Sequence, residues 1–250
     1  MLFPTLKGLG LSAAILAAAP VYADIYDRYQ RGVKDAAIVE DSEIVTTLQA
    51  LTPDNPNLVW DKDKKRILVA TWKSEDSYNK YMKPYTQTSD NPEYGLWVTA
   101  APQVQNFCKT IAVEDRAKPK HYANKVNRRL KQYLGLNPDW NYDVFVEMWV
   151  SPDDLFRPCV DPEVTDNTCD LHFGDSNPEV KNIADYREFY EDLYFRSFRS
   201  SGGVPWTGLG YTFDWGNPES DVGGSEFITV PKAEYEIVRA VATVDYCSEE

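Results

Sequence analysis

The sequence predicts an α+β fold: a mixed or antiparallel sheet of about five to six strands carrying two main helices. Three observations lead there. Two long segments, 120–134 and 177–194, repeat apolar residues at helical spacing. Several runs rich in β-branched and aromatic residues have strand character. The two kinds of segment alternate irregularly along the chain, with no internal repeat and no Gly/Ser linker, so residues 24–250 read as one globular domain.

In chain order, Asp41 or Ser42 is placed to cap a helix with Ile44, Val45, Leu48 and Leu51 on one face, stopped by Pro53. Leu58–Trp60 and Arg66–Trp72 form a hairpin about the charged turn Asp61–Lys65, and Leu96–Ala100 is a further strand. The helix Lys120–Leu134 buries Val126, Leu130, Tyr133 and Leu134, and Gly135 supplies its left-handed stop. Asp143–Val150 is almost continuously apolar, as expected of a strand buried on both faces at the centre of a sheet. The second helix is predicted from Asn177 as cap and Pro178 at its first position, with Tyr186, Phe189, Tyr190, Leu193 and Tyr194 on the buried side. On its wet side Asp192 with Arg196, and Arg187 with Glu191, are spaced for ion pairs. Two strands, Glu226–Val230 and Tyr235–Tyr246, close the chain about a turn at Pro231–Ala233.

Residues 1–23 have the pattern of a secretory signal peptide. Lys7 gives a basic start, Gly8–Ala19 an apolar stretch of about a dozen residues, and Val21-Tyr22-Ala23 the small residues a signal peptidase reads. A spanning helix needs about twenty apolar residues, so cleavage and release, with no stable membrane insertion, is the expectation. The mature chain then acts in the periplasm or outside the cell. The net charge is −13, and loss of Lys7 makes it one unit more negative, which speaks against a nucleic-acid partner. A monomer is expected, with a small molecule, a sugar or an envelope protein as partner, and no cofactor is assigned.

Four cysteines in an oxidising compartment are read as two disulfides. Cys159 and Cys169 enclose a short polar loop and form the local pair, which leaves Cys108 with Cys247 as a long-range staple. Zinc is disfavoured, since there is no C-x-x-C and the histidines are His121 and His172 alone.

The longest candidate binding loop is Gly203–Glu226. It joins Trp206, Tyr211 and Trp215 to Asp214 and other acids through many glycines, the composition that stacks a sugar ring or meets a cation. Ca²⁺ is thinkable at Asp214, Asn217, Glu219 and Asp221, or at Asp161, Glu163, Asp166 and Asp170, but neither spacing is that of an EF-hand. Glu147 shares a strand face with Phe145 and Trp149, an apolar setting that raises a carboxyl pKa, unless it is paired with Arg157 or Arg239. Arg116, Lys118, Lys120, Lys125, Arg128, Arg129 and Lys131 crowd one region, either a receptor for an anion or a face that balances the domain's own acids.

No G-x-S-x-G, H-E-x-x-H, P-loop or dinucleotide motif is present. Ser225-Glu226 opening a strand, followed by Glu234-Tyr235-Glu236, resembles the glutamate-bearing strand of ADP-ribosyltransferase toxins. The resemblance covers about a dozen residues. It implies Glu226 as the residue that steers a ribose and Arg66 as the early arginine, although the chain has no Ser-Thr-Ser strand. Two functions follow as expectations. The first is a binding domain that uses Trp206, Tyr211, Asp214 and Trp215 without catalysis. The second is an exported enzyme, either a transferase on Glu226 or a hydrolase that pairs Glu147 with an acid of the Gly203–Glu226 loop.

Overall fold

The computed structural model describes residues 19–111, 113–199 and 203–249. The expected leader, 1–23, lies outside these residues except for the backbone of its last five. That backbone begins helix α1 (Ala19–Asp35). Tyr29, Val33 and Ala36 recur at helical spacing and pack against Phe213 and Trp215, and the Tyr29 hydroxyl donates to the Gly203 carbonyl at 2.8 Å.

The helix expected from Asp41 onward is a single 3-10 turn, Asp41–Glu43, and the chain beyond it lies extended. Long-range hydrogen bonds outcompete the helical ladder there. The Leu48 and Leu51 amides donate to the Asn167 and Val164 carbonyls, and the Gln49 amide to the Ser225 hydroxyl. The apolar side chains consequently divide, Leu48 joining the Cys159–Cys169 loop and Leu51 the main core.

The fold is α+β. Strands β1 (Ile67–Lys73), β2 (Trp97–Ala100), β3 (Val144–Val150), β4 (Leu155–Phe156), β7 (Phe227–Thr229) and β8 (Tyr235–Ala242) form one antiparallel sheet in the order β4-β7-β2-β1-β3-β8. Strands β5 (Tyr211–Phe213) and β6 (Val222–Ser225) make a small second sheet. The expected hairpin at residues 58–72 survives as a narrow one, Trp60 bridging Ile67 around a turn held by the Asp61 carboxylate.

Two sheet expectations are corrected. Strand β3 is not central, because β1 and β2 occupy the middle while β8 covers its outer flank. Its apolar run reflects cores on both faces rather than a central place. The two closing strands do not pair with each other either: β7 lies between β4 and β2, and β8 joins β3 at the far edge. Strand β2 turns the sheet, pairing through Trp97 and Val98 with β7 and through Thr99 and Ala100 with β1.

Alternation along the strands sends Ile67, Val69, Val98, Val146, Met148 and Phe227 to one face, where they pack with Leu51, Leu58 and Met82. Of the remaining helices, α2 (Glu75–Tyr81) lends Tyr78 to this face. On the other face α3 (Ala101–Lys109), α4 (Pro119–Tyr133) and α6 (Thr243–Ser248) cover Trp72 and Phe145. On that same face α5 (Tyr186–Arg199) covers Phe156 and Ile228. Helix α4 lies within one residue of its predicted bounds at each end, with Gly135 at φ +66° as the stop. Helix α5 starts at Tyr186 instead of after Asn177. Asp185 accepts the Glu188 amide, and Asn177 acts from outside by accepting the Arg187 amide.

Both expected disulfides are present. Cys108–Cys247 ties α3 to α6, and Cys159–Cys169 closes the loop after β4. No helix among the described residues is long and apolar enough to cross a membrane.

Candidate functional site

The two groups of helices sit over opposite ends of one sheet face and leave its middle uncovered. The result is a cleft of about 360 Å³ whose floor is β1 and β2, through Ala70, Trp72, Trp97 and Thr99. One wall is the end of α4 and the following loop, with Leu134, Gly135, Leu136, Trp140 and Tyr142. The opposite wall is α5, with Phe189 and Leu193, beside Pro205 and Trp206. Such a volume, lined mainly by rings and aliphatic groups, is in the range that holds a small molecule.

Glu226 lines this cleft. It stands where the chain leaves β6 and enters β7. Ser225 still pairs with Tyr211, and Phe227 already pairs with Val98 and points into the opposite core. Alternation therefore turns the Glu226 side chain to the cleft face. Its neighbours fix the backbone. The Glu226 amide donates to the Gly210 carbonyl at 3.0 Å, the Ser225 amide donates to the Gln103 side chain, and the Ser225 hydroxyl accepts the Gln49 amide.

Glu226 is 6% exposed, and its Oε1 meets no hydrogen-bond partner among the described residues. Burial alone pushes its pKa up to about 8, so at neutral pH it is an un-ionised acid able to donate as well as accept. The Trp206 indole N–H is also buried without a partner among the described residues. Its ring lies edge-on to Tyr190 at 5.0 Å.

The cleft brings together two of the six residues singled out in the sequence, Glu226 and Trp206, and places the others elsewhere. The Tyr211 hydroxyl donates to the Glu43 carbonyl, and burial raises its pKa. Asp214, 2% exposed, accepts both Arg129 terminal nitrogens at 2.7 and 2.6 Å. The Trp215 ring packs against Tyr29 and its N–H donates to the Leu136 carbonyl. Glu147 lies outside the cleft at the β3/β8 edge. There Arg239 grips it through Nε at 2.5 Å and Nη2 at 3.1 Å, while also binding Glu249. An ion pair, the alternative given for Glu147, thus replaces the lone apolar carboxyl. The segment Gly203–Glu226 is a folded, mostly buried small sheet rather than an open loop.

The other expected clusters are likewise taken up internally. Lys125 pairs with Asp115 and Arg129 with Asp214, so two of the seven charges are neutralised within the fold, while Arg116 and Lys131 donate to backbone carbonyls. Among the described residues the one group of three potential metal ligands is Cys159, Asp161 and Cys169, and both of its sulfurs are in the disulfide. Asp166 is bound by the fully buried Arg157. The ion pairs expected on α5 give way to backbone contacts, Arg196 Nε reaching the Asp192 carbonyl and Arg187 the Ser176 carbonyl.

Sequence reading missed Trp97 and Trp140 as parts of the cleft. The partial exposure of Trp97 and Trp140 marks them afterwards, but nothing in their spacing joins β2 to the loop after α4. Comparison with protein-family models, with curated proteins and with solved structures finds no match to this chain.

Proposed function

We propose that the chain is an exported binding domain of the periplasm or extracellular space, whose ligand is a small molecule held in the cleft over β1 and β2. The observation that carries this reading is a buried carboxyl oxygen, Glu226 Oε1, and a buried indole N–H, Trp206, both without a hydrogen-bond partner among the described residues and both belonging to residues that line one aromatic cleft. A polar group buried without a partner costs roughly 1–3 kcal/mol, and a ligand atom that pairs with it recovers that energy on binding.

The enzyme readings draw less support. A carboxylate hydrolase needs two acids facing one substrate, and Glu147 is bound by Arg239 away from Glu226. The other carboxylate bordering the cleft, Glu93, is half exposed and faces Arg196 at 4.0 Å. Arg66, the arginine a transferase would use, pairs with Asp61 and Glu236 and does not line the cleft.

The test is a thermal-shift screen of small aromatic, lipid-like and saccharide ligands on the wild-type protein and on Trp206→Phe. A ligand at about one hundred times its Kd raises stability by about 2.7 kcal/mol. Hits that stabilise the wild type and lose affinity in the variant support the reading. A screen in which every hit is indifferent to Trp206, or in which nothing binds, rejects it.

A further inference from the structure

We propose that the cleft selects an uncharged, ring-bearing apolar molecule that presents an acceptor oxygen, such as a ketone or quinone carbonyl, to the Glu226 carboxyl and the Trp206 N–H. This inference rests on the cleft being the binding site and adds the chemical class of the occupant.

The walls decide the body of the ligand. Trp72, Trp97, Trp140 and Trp206 line the cleft together with Phe145 and Phe189, so flat apolar surface meets flat apolar surface on several sides. A saccharide would need a partner for each of several hydroxyls, whereas the lining is mainly apolar. The Thr212 hydroxyl, which also lines it, is already committed, donating to the Tyr133 carbonyl and accepting the Gly224 amide.

The two unpaired groups decide the polar end. An indole N–H only donates, and a protonated carboxyl donates its O–H. Both residues line the cleft, so an acceptor on the ligand answers both donors, and the lysine that borders it, Lys73, is pushed by burial toward its uncharged form. The charged groups that border the cleft are Lys73 at the end of β1, Glu93 in the turn before β2 and Arg196 on α5. All three are part-exposed, and Glu93 faces Arg196.

The test compares acetylnaphthalene with isopropylnaphthalene, matched in shape but lacking the oxygen, and with chitobiose. Binding is measured by calorimetry on the full protein, on Trp206→Phe and on Glu226→Gln. The expected result is that the ketone binds the wild type at least tenfold more tightly than the hydrocarbon, as two neutral hydrogen bonds imply. Trp206→Phe should lose roughly fivefold of that preference. Wild-type affinity for the ketone should fall as the pH is raised past about 8, where the Glu226 proton is lost. Glu226→Gln keeps an N–H donor, so it should bind the ketone with no such fall.

Equal binding of ketone and hydrocarbon, both weakened by Trp206→Phe, overturns the acceptor-oxygen inference and leaves the cleft as a binding site. Preference for chitobiose does the same. Binding of any probe that is indifferent to both variants, or no binding of any probe, overturns the inference, and a thermal-shift screen with no Trp206-dependent hit separately removes the cleft reading.

Discussion

Glu226→Gln should make this protein more stable at neutral pH, not less. Burial pushes the carboxyl from its ordinary 4.5 up to about 8. Between those values the folded chain holds a proton that the unfolded chain has released, so rising pH favours unfolding. The contribution is therefore lost from about pH 4.5 upward and levels off beyond about pH 8. Each pH unit inside the window removes about 1.4 kcal/mol, which makes the carboxyl cost about 3 kcal/mol at pH 7 relative to pH 4. Glutamine has nearly the shape of the protonated acid and does not titrate. Urea unfolding of both proteins at pH 4, 7 and 9 should give similar midpoints at the first and an advantage to the variant of about 3 kcal/mol at the second, larger again at the third. In a chain of this size that advantage at pH 7 is a rise in Tm of roughly 6–12 °C. A stability difference that stays constant across the three pH values would refute the account of Glu226 as a buried neutral acid.

Arg129→Ala leaves Asp214 charged and buried, and should destabilise by about 3–5 kcal/mol in urea unfolding; adding Asp214→Asn should restore part of the loss. The two disulfides enclose very different lengths of chain, with sequence separations of 139 and 10. Loop entropy assigns the Cys108–Cys247 bridge about 5 kcal/mol and the Cys159–Cys169 bridge about 3 kcal/mol, so paired Cys→Ser variants should rank in that order by calorimetry. Gly210 has φ +76°, and a Cβ there would lie 2.5 Å from Arg157 Cδ and 2.9 Å from Cys169 Sγ. Gly210→Ala should therefore cost about 2 kcal/mol or more, read as a lowered Tm, because the backbone strain and the clash with a fully buried arginine add.

Local patterns were legible wherever one element supplied its own signal. Val126, Leu130 and Tyr133 share a helical stripe, and Gly135 ends it because the left-handed region favours glycine. Residues 144–150 read as a strand, and the disulfide pairing followed from chain spacing and an even cysteine count. Helix α1 went unread although Tyr29 and Val33 are helically spaced, because its buried side is only a few residues wide and faces Phe213 and Trp215, far along the chain. Ile44, Val45, Leu48 and Leu51 carried a helical pattern that the fold overrides, since the Leu48 and Leu51 amides find carbonyls at Asn167 and Val164.

The sequence by itself determined helix α4, the strand at 144–150 and the cysteine bridges. Each depends on residues close in the chain or on a property of the residue type. Tertiary structure alone decided that β7 and β8 do not pair, that Glu147 and Asp214 are neutralised by Arg239 and Arg129, and that Glu226 Oε1 is buried with no partner among the described residues. Whether a carboxyl is paired depends on which distant side chain reaches it, and that is fixed only when the sheet order and the helix packing bring the segments into contact.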